Sequence, residues 1–345
     1  MKTRITEMFG IEVPIVLSGM TGISTPELVA AVCNAGGLGI LATGDLGFDQ
    51  MRGAVQRIRE LTDKPFGANV PLLVPGSAKK ATVLFEEKVP VINYSLGKGD
   101  WICEAVHEYG GKVIATVTTQ KHAIAAARDG ADALLVTGHE AAAHGGEVTS
   151  LVLVPGIADK VDIPVIAAGG FADGRGLAAA LAIGAEAVAM GTRFMNTRES
   201  PIHERMKEMS REKTVHDTMY SEKVDGLPCR VMRSPGADRL VNSRFVLLRA
   251  FFSSREAARA YGLPWWKMCM GLLVVGLRQA LALARLANAY RPLMLAMDKG
   301  DADRGVMLLG QVTGIIEDTP TVAELVERTV REARECGQRV NEKLG

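Results

Sequence analysis

The chain has 345 residues, 48% of them hydrophobic and 23% charged, which excludes a mostly disordered polypeptide. Forty Lys and Arg against 39 Asp and Glu leave a net charge of +1, so no basic field marks a nucleic-acid binder. Five scattered cysteines without a CxxC pair argue against a disulfide framework or a zinc knuckle and fit a reducing, cytoplasmic setting.

From the N-terminus, which shows no signal-peptide h-region, the first two hundred residues alternate between two textures. Short apolar runs predict strands at Pro14–Met20, Leu38–Thr43, Phe66–Val70, Val89–Ser95, Lys112–Val117, Ala133–Gly138, Ile163–Gly170 and Ala187–Thr192. Helical patterns lie between them at Pro26–Asn34, Gln50–Leu61, Ala78–Glu87, Asp100–Tyr109, Gln120–Asp129 and Gly174–Ile183. Thr25 supplies an N-cap hydroxyl ahead of Pro26 at N1, and Gly36, Gly110 and Gly130 stand where helix C-caps belong.

Parallel neighbours need long return paths, and continuously apolar strands are covered on both faces. Eight such units predict a closed (β/α)8 TIM barrel, favoured over a doubly wound open sheet. Beyond Arg198 the pattern changes. Residues 201–224 read as charged and helical, 225–305 as an inserted helical subdomain, and Thr321–Lys343 as the closing amphipathic helix. The expected division is therefore 1–224 plus 306–345 for the barrel and 225–305 for a substrate or lid subdomain. Cys269–Ala287 is apolar but interrupted by Arg278, Gln279 and Arg285, which suits a buried or interfacial helix better than a spanning one. Trp265-Trp266 fits a packed core better than membrane contact through 265–287.

Two tandem elements carry the strongest chemical signal. Gly169-Gly170 ends the seventh strand and Gly191-Thr192 the eighth, where barrels place phosphate sites. Without Cβ atoms, such backbone lets amides approach an anion; tight turns alone are the plainer explanation. After strand six comes Gly138-His139-Glu140-Ala141-Ala142-Ala143-His144-Gly145-Gly146-Glu147. HExxxH is one residue longer than HExxH and would set the histidines about 140° apart on a helix, so no metal site is expected. His144, in a small-residue loop, is the better candidate for proton transfer near neutral pH, ahead of His139. Gly19-Met20 ends strand one, Asn69 ends strand three, and Gly310-Gln311 offers a further amide. For Met20 a core position and for Asn69 a turn cap are the competing explanations.

Read together, Ala35–Leu38, Gly138–Gly146, Ile163–Gly176 and Gly184–Phe194 resemble the nitronate monooxygenase family, including its NADH:quinone reductase members, and the related flavin enoyl-acyl-carrier reductases. The likeness covers most of 5–204 and resumes at Gly310–Thr319. It implies a barrel holding FMN, with Gly169, Gly170, Gly191 and Thr192 at the phosphate, Gly19 and Met20 along the isoalloxazine ring, and Asn69 at its polar edge. Gln311 would lie near the cofactor, and His144 would act on substrate. The implied reaction is oxidation of alkyl nitronates with O2. The alternative is an NAD(P)H-dependent quinone or enoyl-thioester reductase at the same site, and a flavin-free phosphometabolite-binding protein is the rival of another class. Partners are a small-molecule substrate and, for assembly, a homodimer. Ala143 stands where the family has glycine, and Thr197–His203 is closer to the quinone reductase members.

Overall fold

A computed structural model describes residues 1–73, 76–142, 144–243, 265–266 and 277–345. They fall into two compact units, one of residues 1–140, 146–201 and 318–345, the other of 141–145 and 202–317.

The first unit is a closed barrel of eight parallel strands in sequential order. These are β1 Ile15–Leu17, β2 Leu38–Leu41, β3 Gly67–Pro71, β4 Val91–Ser95, β5 Lys112–Val117, β6 Ala133–Thr137, β7 Val165–Ala168 and β8 Ala187–Met190. Closure is made by β1 on β8, with Ile15 beside Val188 and Leu17 beside Met190. The crossovers are α2 Pro26–Asn34, α3 Phe48–Leu61, α4 Ser77–Glu86, α5 Asp100–Glu108, α6 Gln120–Arg128, α7 Ser150–Ala158 and α8 Gly174–Ala182. β5 has the expected bounds, β3 is shifted by one residue, and β4 starts two residues late. β1, β2, β6, β7 and β8 are shorter than their apolar runs, and the last residues of those runs belong to the loops at the strand tips, where backbone leaves the ladder.

Gly36, Gly110 and Gly130 adopt left-handed φ of +87°, +80° and +100°, as helix ends followed by a turn require. Thr25 is the N-cap of α2 with Pro26 behind it, but its hydroxyl makes no capping bond, contrary to expectation. Proline at N1 has no N–H to satisfy and starts the helix through its fixed φ.

Sequence reading passed over α1 Arg4–Phe9, which opens with a capping box formed by Thr3 and Thr6. Ile5, Phe9 and Ile11 join Val16, Leu38, Ile40, Ile114, Ile166 and Ala187 in the barrel core, so α1 stoppers the end from which the strands start. Ile5 is wholly buried, a burial worth about 1.5–3 kcal/mol. The final helix, α13 Val322–Leu344, packs against α8 and α2. The Gly174 N–H donates to Glu332 Oε2 at 3.0 Å.

The second unit is not purely helical, and residues 201–224 are helical only in part. After α9 Thr192–Met195, which still belongs to the barrel unit, come α10 Glu204–Arg211 and an antiparallel ribbon of β9 Thr218–Ser221 and β10 Cys229–Met232. Then follow α11 Pro235–Val241, α12 Leu277–Lys299 and a 3-10 turn at Gln311–Ile315. Val224, Val231, Ala237, Leu240, Ala289 and Val306 form its core. Thr313 Oγ1 donates to the Ser210 carbonyl at 2.7 Å and ties the 3-10 turn to the end of α10. The chain returns to the barrel as α13 Val322–Leu344, started by a capping box of Thr321 and Glu324. Among the described residues no helix is long and apolar enough to cross a membrane. Much of Cys269–Ala287, Lys267 beside the Trp pair, and Ala143 lie outside the described residues.

Candidate active site

Four strand tips of the barrel unit carry Gly19, Met20, Asn69, Gly169, Gly170, Gly191 and Thr192 of the residues singled out above. At the end of β7, Gly169 and Gly170 both take positive φ, +97° and +86°. Residues with side chains rarely adopt this region, and a β-carbon on Gly169 would lie 3.1 Å from both the Gly138 carbonyl oxygen and Ser150 Oγ. The turn thus consists of two adjacent residues without side chains, Gly169 half-buried and Gly170 exposed.

Next to them Glu140 turns its carboxylate into the start of α7. Its Oε1 and Oε2 accept from the Ser150 N–H at 3.1 and 3.0 Å, and Ser150 Oγ lies 3.0 Å from Oε2. A carboxylate at a helix N-terminus has its charge matched by the free N–H groups there.

At the end of β8, Gly191 is the N-cap of α9, and Thr192 is 6% exposed with its carbonyl accepting from Asn196 Nδ2 at 3.1 Å. Met20, half-buried after β1, comes close to this turn: a β-carbon on Gly191 would sit 3.2 Å from its Sδ. The barrel closure of β1 on β8 brings these two tips together.

Asn69, on β3, is a clasp as well as a candidate ligand. Its Oδ1 accepts from the Thr43 N–H at 2.9 Å and its Nδ2 donates to the Gly19 carbonyl at 3.1 Å. The tips of β1, β2 and β3 are thereby joined, and one amide hydrogen and one lone pair remain for a further partner. The same tip is braced by Lys80, 9% exposed, whose Nζ donates to the carbonyls of Thr43 and Gly44 at 3.0 and 2.7 Å. Burial lowers the Lys80 pKa, with Asp45 working in the opposite direction.

His139 and His144 part company. His139 Nδ1 lies 2.9 Å from the Gly146 carbonyl oxygen within the barrel unit. His144 belongs to the second unit, where its Nε2 is 2.9 Å from Asp225 Oδ2. The short segment around His144 is fixed to the β9–β10 ribbon at two further points. The Arg230 N–H donates to the Ala142 carbonyl at 3.3 Å, and Tyr220 Oη donates to the Gly145 carbonyl at 2.7 Å. Arg230 in turn sits over the Tyr220 ring, 5.5 Å from its centroid. The His144 side chain is 30% exposed and that of Asp225 10%. Sequence reasoning missed Asp225 and Tyr220, since neither lies in a motif and 81 residues separate His144 from Asp225. Gln311, at the start of the 3-10 turn, is half-buried.

Cysteine chemistry is not offered by the buried thiols. Burial pushes Cys33 up to about 11 and Cys103 up to about 12, so neither is a thiolate near neutrality. Cys229 is raised by burial and by Asp225.

The model of the family described as nitronate monooxygenase matches residues 2–83 and 73–332. A protein of Rhodococcus jostii (strain RHA1), named (3aS,4S,5R,7aS)-5-hydroxy-7a-methyl-1-oxo-octahydro-1H-indene-4-carboxyl-CoA dehydrogenase, is 36% identical over 338 residues, 96% of each chain. A probable nitronate monooxygenase of Staphylococcus saprophyticus is 32% identical over 277 residues, 67% of this chain and 78% of that one. Among solved structures, FabK from Thermotoga maritima superposes with a TM-score of 0.84 at 36% identity, covering 99% of both chains. Nitroalkane oxidase from Streptomyces ansochromogenes does so at 0.78 and 26%, covering 97% of this chain and 99% of that one. With its eight-stranded barrel and these likenesses, the chain belongs to the nitronate monooxygenase family and is an oxidoreductase.

Proposed function

We propose that this oxidoreductase binds FMN at the four strand tips and oxidises a hydroxylated acyl-CoA thioester, with His144 taking the hydroxyl proton. The observation that carries the cofactor reading is the pair of positive-φ glycines at the β7 tip, one strand from Gly191-Thr192. The residues present fit the group: bare backbone at Gly169 and Gly170 suits a phosphate, and the neighbouring carboxylate of Glu140 is occupied by Ser150. Gly169, Gly170, Gly191 and Thr192 would hold the phosphate. Gly19 and Met20 would pass the ring, and Asn69 would offer its remaining hydrogen and lone pair to the polar edge. Gln311 would supply a further amide. FMN, when bound, supplies a two-electron acceptor.

The substrate class follows from two considerations. The CoA dehydrogenases align over almost their whole length, and their name places a hydroxyl on the carbon next to the one bearing the thioester. Removing hydrogen from such a carbinol requires a base for the O–H proton, and His144, backed by Asp225, is a residue of that kind. A nitronate is already an anion and needs no such base. Oxidation of alkyl nitronates with O2 is kept as the second reading because the family model covers most of the chain. The substrate or lid role expected of 225–305 falls partly on residues outside those described, and the four free cysteines among the described residues suit a cytoplasmic setting.

Anaerobic mixing of the purified protein separates the readings. Bleaching of the flavin by 2-hydroxycyclohexanecarboxyl-CoA, and not by ethylnitronate or NADH, is the expected result. Bleaching by ethylnitronate alone selects the second reading, and bleaching by NADH alone selects the reductase direction. His144→Ala should retain FMN and lose turnover by about a hundredfold or more.

A further inference from the structure

We infer that Asp225 is the positioning residue for His144: it holds the imidazole with its proton on Nε2 and leaves Nδ1 as the basic nitrogen. This rests on His144 being the base of the reaction proposed above.

The geometry dictates the tautomer. Asp225 Oδ2 lies 2.9 Å from His144 Nε2, and an ionised carboxylate can only accept hydrogen bonds. The nitrogen facing it must therefore carry hydrogen, which places the lone pair of the neutral ring on Nδ1.

Asp225 is itself held. Its Oδ1 accepts from the Leu227 N–H at 3.1 Å, a turn made where Gly226 adopts φ +97° and donates its N–H to the Glu222 carbonyl at 3.1 Å. One oxygen is thus spent on the turn and the other is aimed at the histidine. Arg230 and Tyr220 bond the backbone on either side of His144, at Ala142 and Gly145. The Cys229 thiol interacts with Asp225 and is raised by burial and by that carboxylate, while Tyr220, with Arg230 over its ring, bonds the backbone next to His144 at Gly145. Here the ring keeps 30% of its side-chain surface open, enough for a ligand to reach it, while the carboxylate is almost covered.

Two measurements on the full-length protein test this. Long-range 1H–15N correlation spectra of 15N-histidine-labelled protein, with His144→Ala assigning one of six rings, should show His144 as the Nε2–H tautomer. In Asp225→Asn, or in Asp225→Ser should the first variant melt early, that ring should become a mixture of tautomers. In anaerobic flavin reduction by 2-hydroxycyclohexanecarboxyl-CoA, Asp225→Asn should lower kcat about ten- to a hundredfold with KM and FMN content little changed. The double variant with His144→Ala should be no slower than His144→Ala alone. A wild-type Nδ1–H ring, or a tautomer and kcat indifferent to Asp225→Asn, overturns the inference and leaves the site intact. Full turnover in His144→Ala removes the base from the proposed reaction, and the spectra then still decide whether Asp225 sets the tautomer.

Discussion

Gly19→Ala should damage the strand-tip assembly out of proportion to one methyl group. The new β-carbon would lie 2.8 Å from Asn69 Nδ2 and 2.9 Å from Asn69 Cβ and Cγ, so the asparagine must move. Moving it breaks its bonds to the Thr43 N–H and the Gly19 carbonyl, each worth about 1 kcal/mol net. Overpacking adds about 1–3 kcal/mol where the neighbour cannot withdraw. The sum is about 3–5 kcal/mol, read as a loss in chemical denaturation and as weakened FMN retention. Asn69→Ala should cost about 1–3 kcal/mol, since it leaves the Thr43 N–H without its acceptor. The double variant should lose less than the two single losses together, because the clash with Nδ2 and Cγ goes with the side chain while the β-carbon kept at position 69 still lies 2.9 Å away. A Gly19→Ala protein as stable as its parent, or a double variant whose losses add, would refute the clasp.

Asp132 contributes to acid stability. Burial pushes its carboxyl up, but His107, Lys112 and the Val113 N–H outweigh this and hold it below the ordinary range. Its folded value thus lies under the unfolded one of about 3.9, so its stabilisation is complete above about pH 4–5 and is lost as pH falls through the folded value. Asp132→Asn should therefore lower stability at pH 7 and flatten the decline between about pH 5 and 2 in denaturation curves; an unchanged slope would contradict this. Lys80→Met should free the Thr43 and Gly44 carbonyls at a cost of about 1–3 kcal/mol. Amide exchange at Leu46, whose N–H donates to the Thr43 carbonyl, should then accelerate, and unaltered protection would show that the brace is dispensable.

The barrel was legible because its signals are local. Apolar runs of four to six residues such as Ala133–Thr137 end in glycine or polar residues, and Gly36, Gly110 and Gly130 mark the turns that separate helix from strand. Helix α7 hid because Ser150–Ala158 is apolar nearly throughout and carries Pro155 and Gly156, which together resemble strand and turn. Helix α1 has only six residues, too few for a period to show. The ribbon escaped for a different reason. Its strands have four residues each, and the charged stretch before Thr218 suggested that the helix of Glu204–Arg211 ran on. At the site, Gly169, Gly170, Gly191 and His144 stand in motifs, whereas Asp225 acquires meaning only when the β9–β10 turn brings it to His144. Asn69 illustrates a mixture: its residue type and position at a strand end were informative, but its bonds to Gly19 and Thr43 depend on the closed barrel.

The most direct measurement is a paired titration of flavin-free protein with FMN and with riboflavin, which differ by the phosphate alone. If the main chain at Gly169, Gly170, Gly191 and Thr192 grips that phosphate, two charge-assisted bonds at about 1.5–3 kcal/mol each make FMN at least about a hundredfold tighter. Gly169→Ala, forced into φ near +97°, should erase most of that difference. Equal affinities for the two flavins, or binding of neither, would contradict the strand-tip cradle on which the proposed chemistry depends.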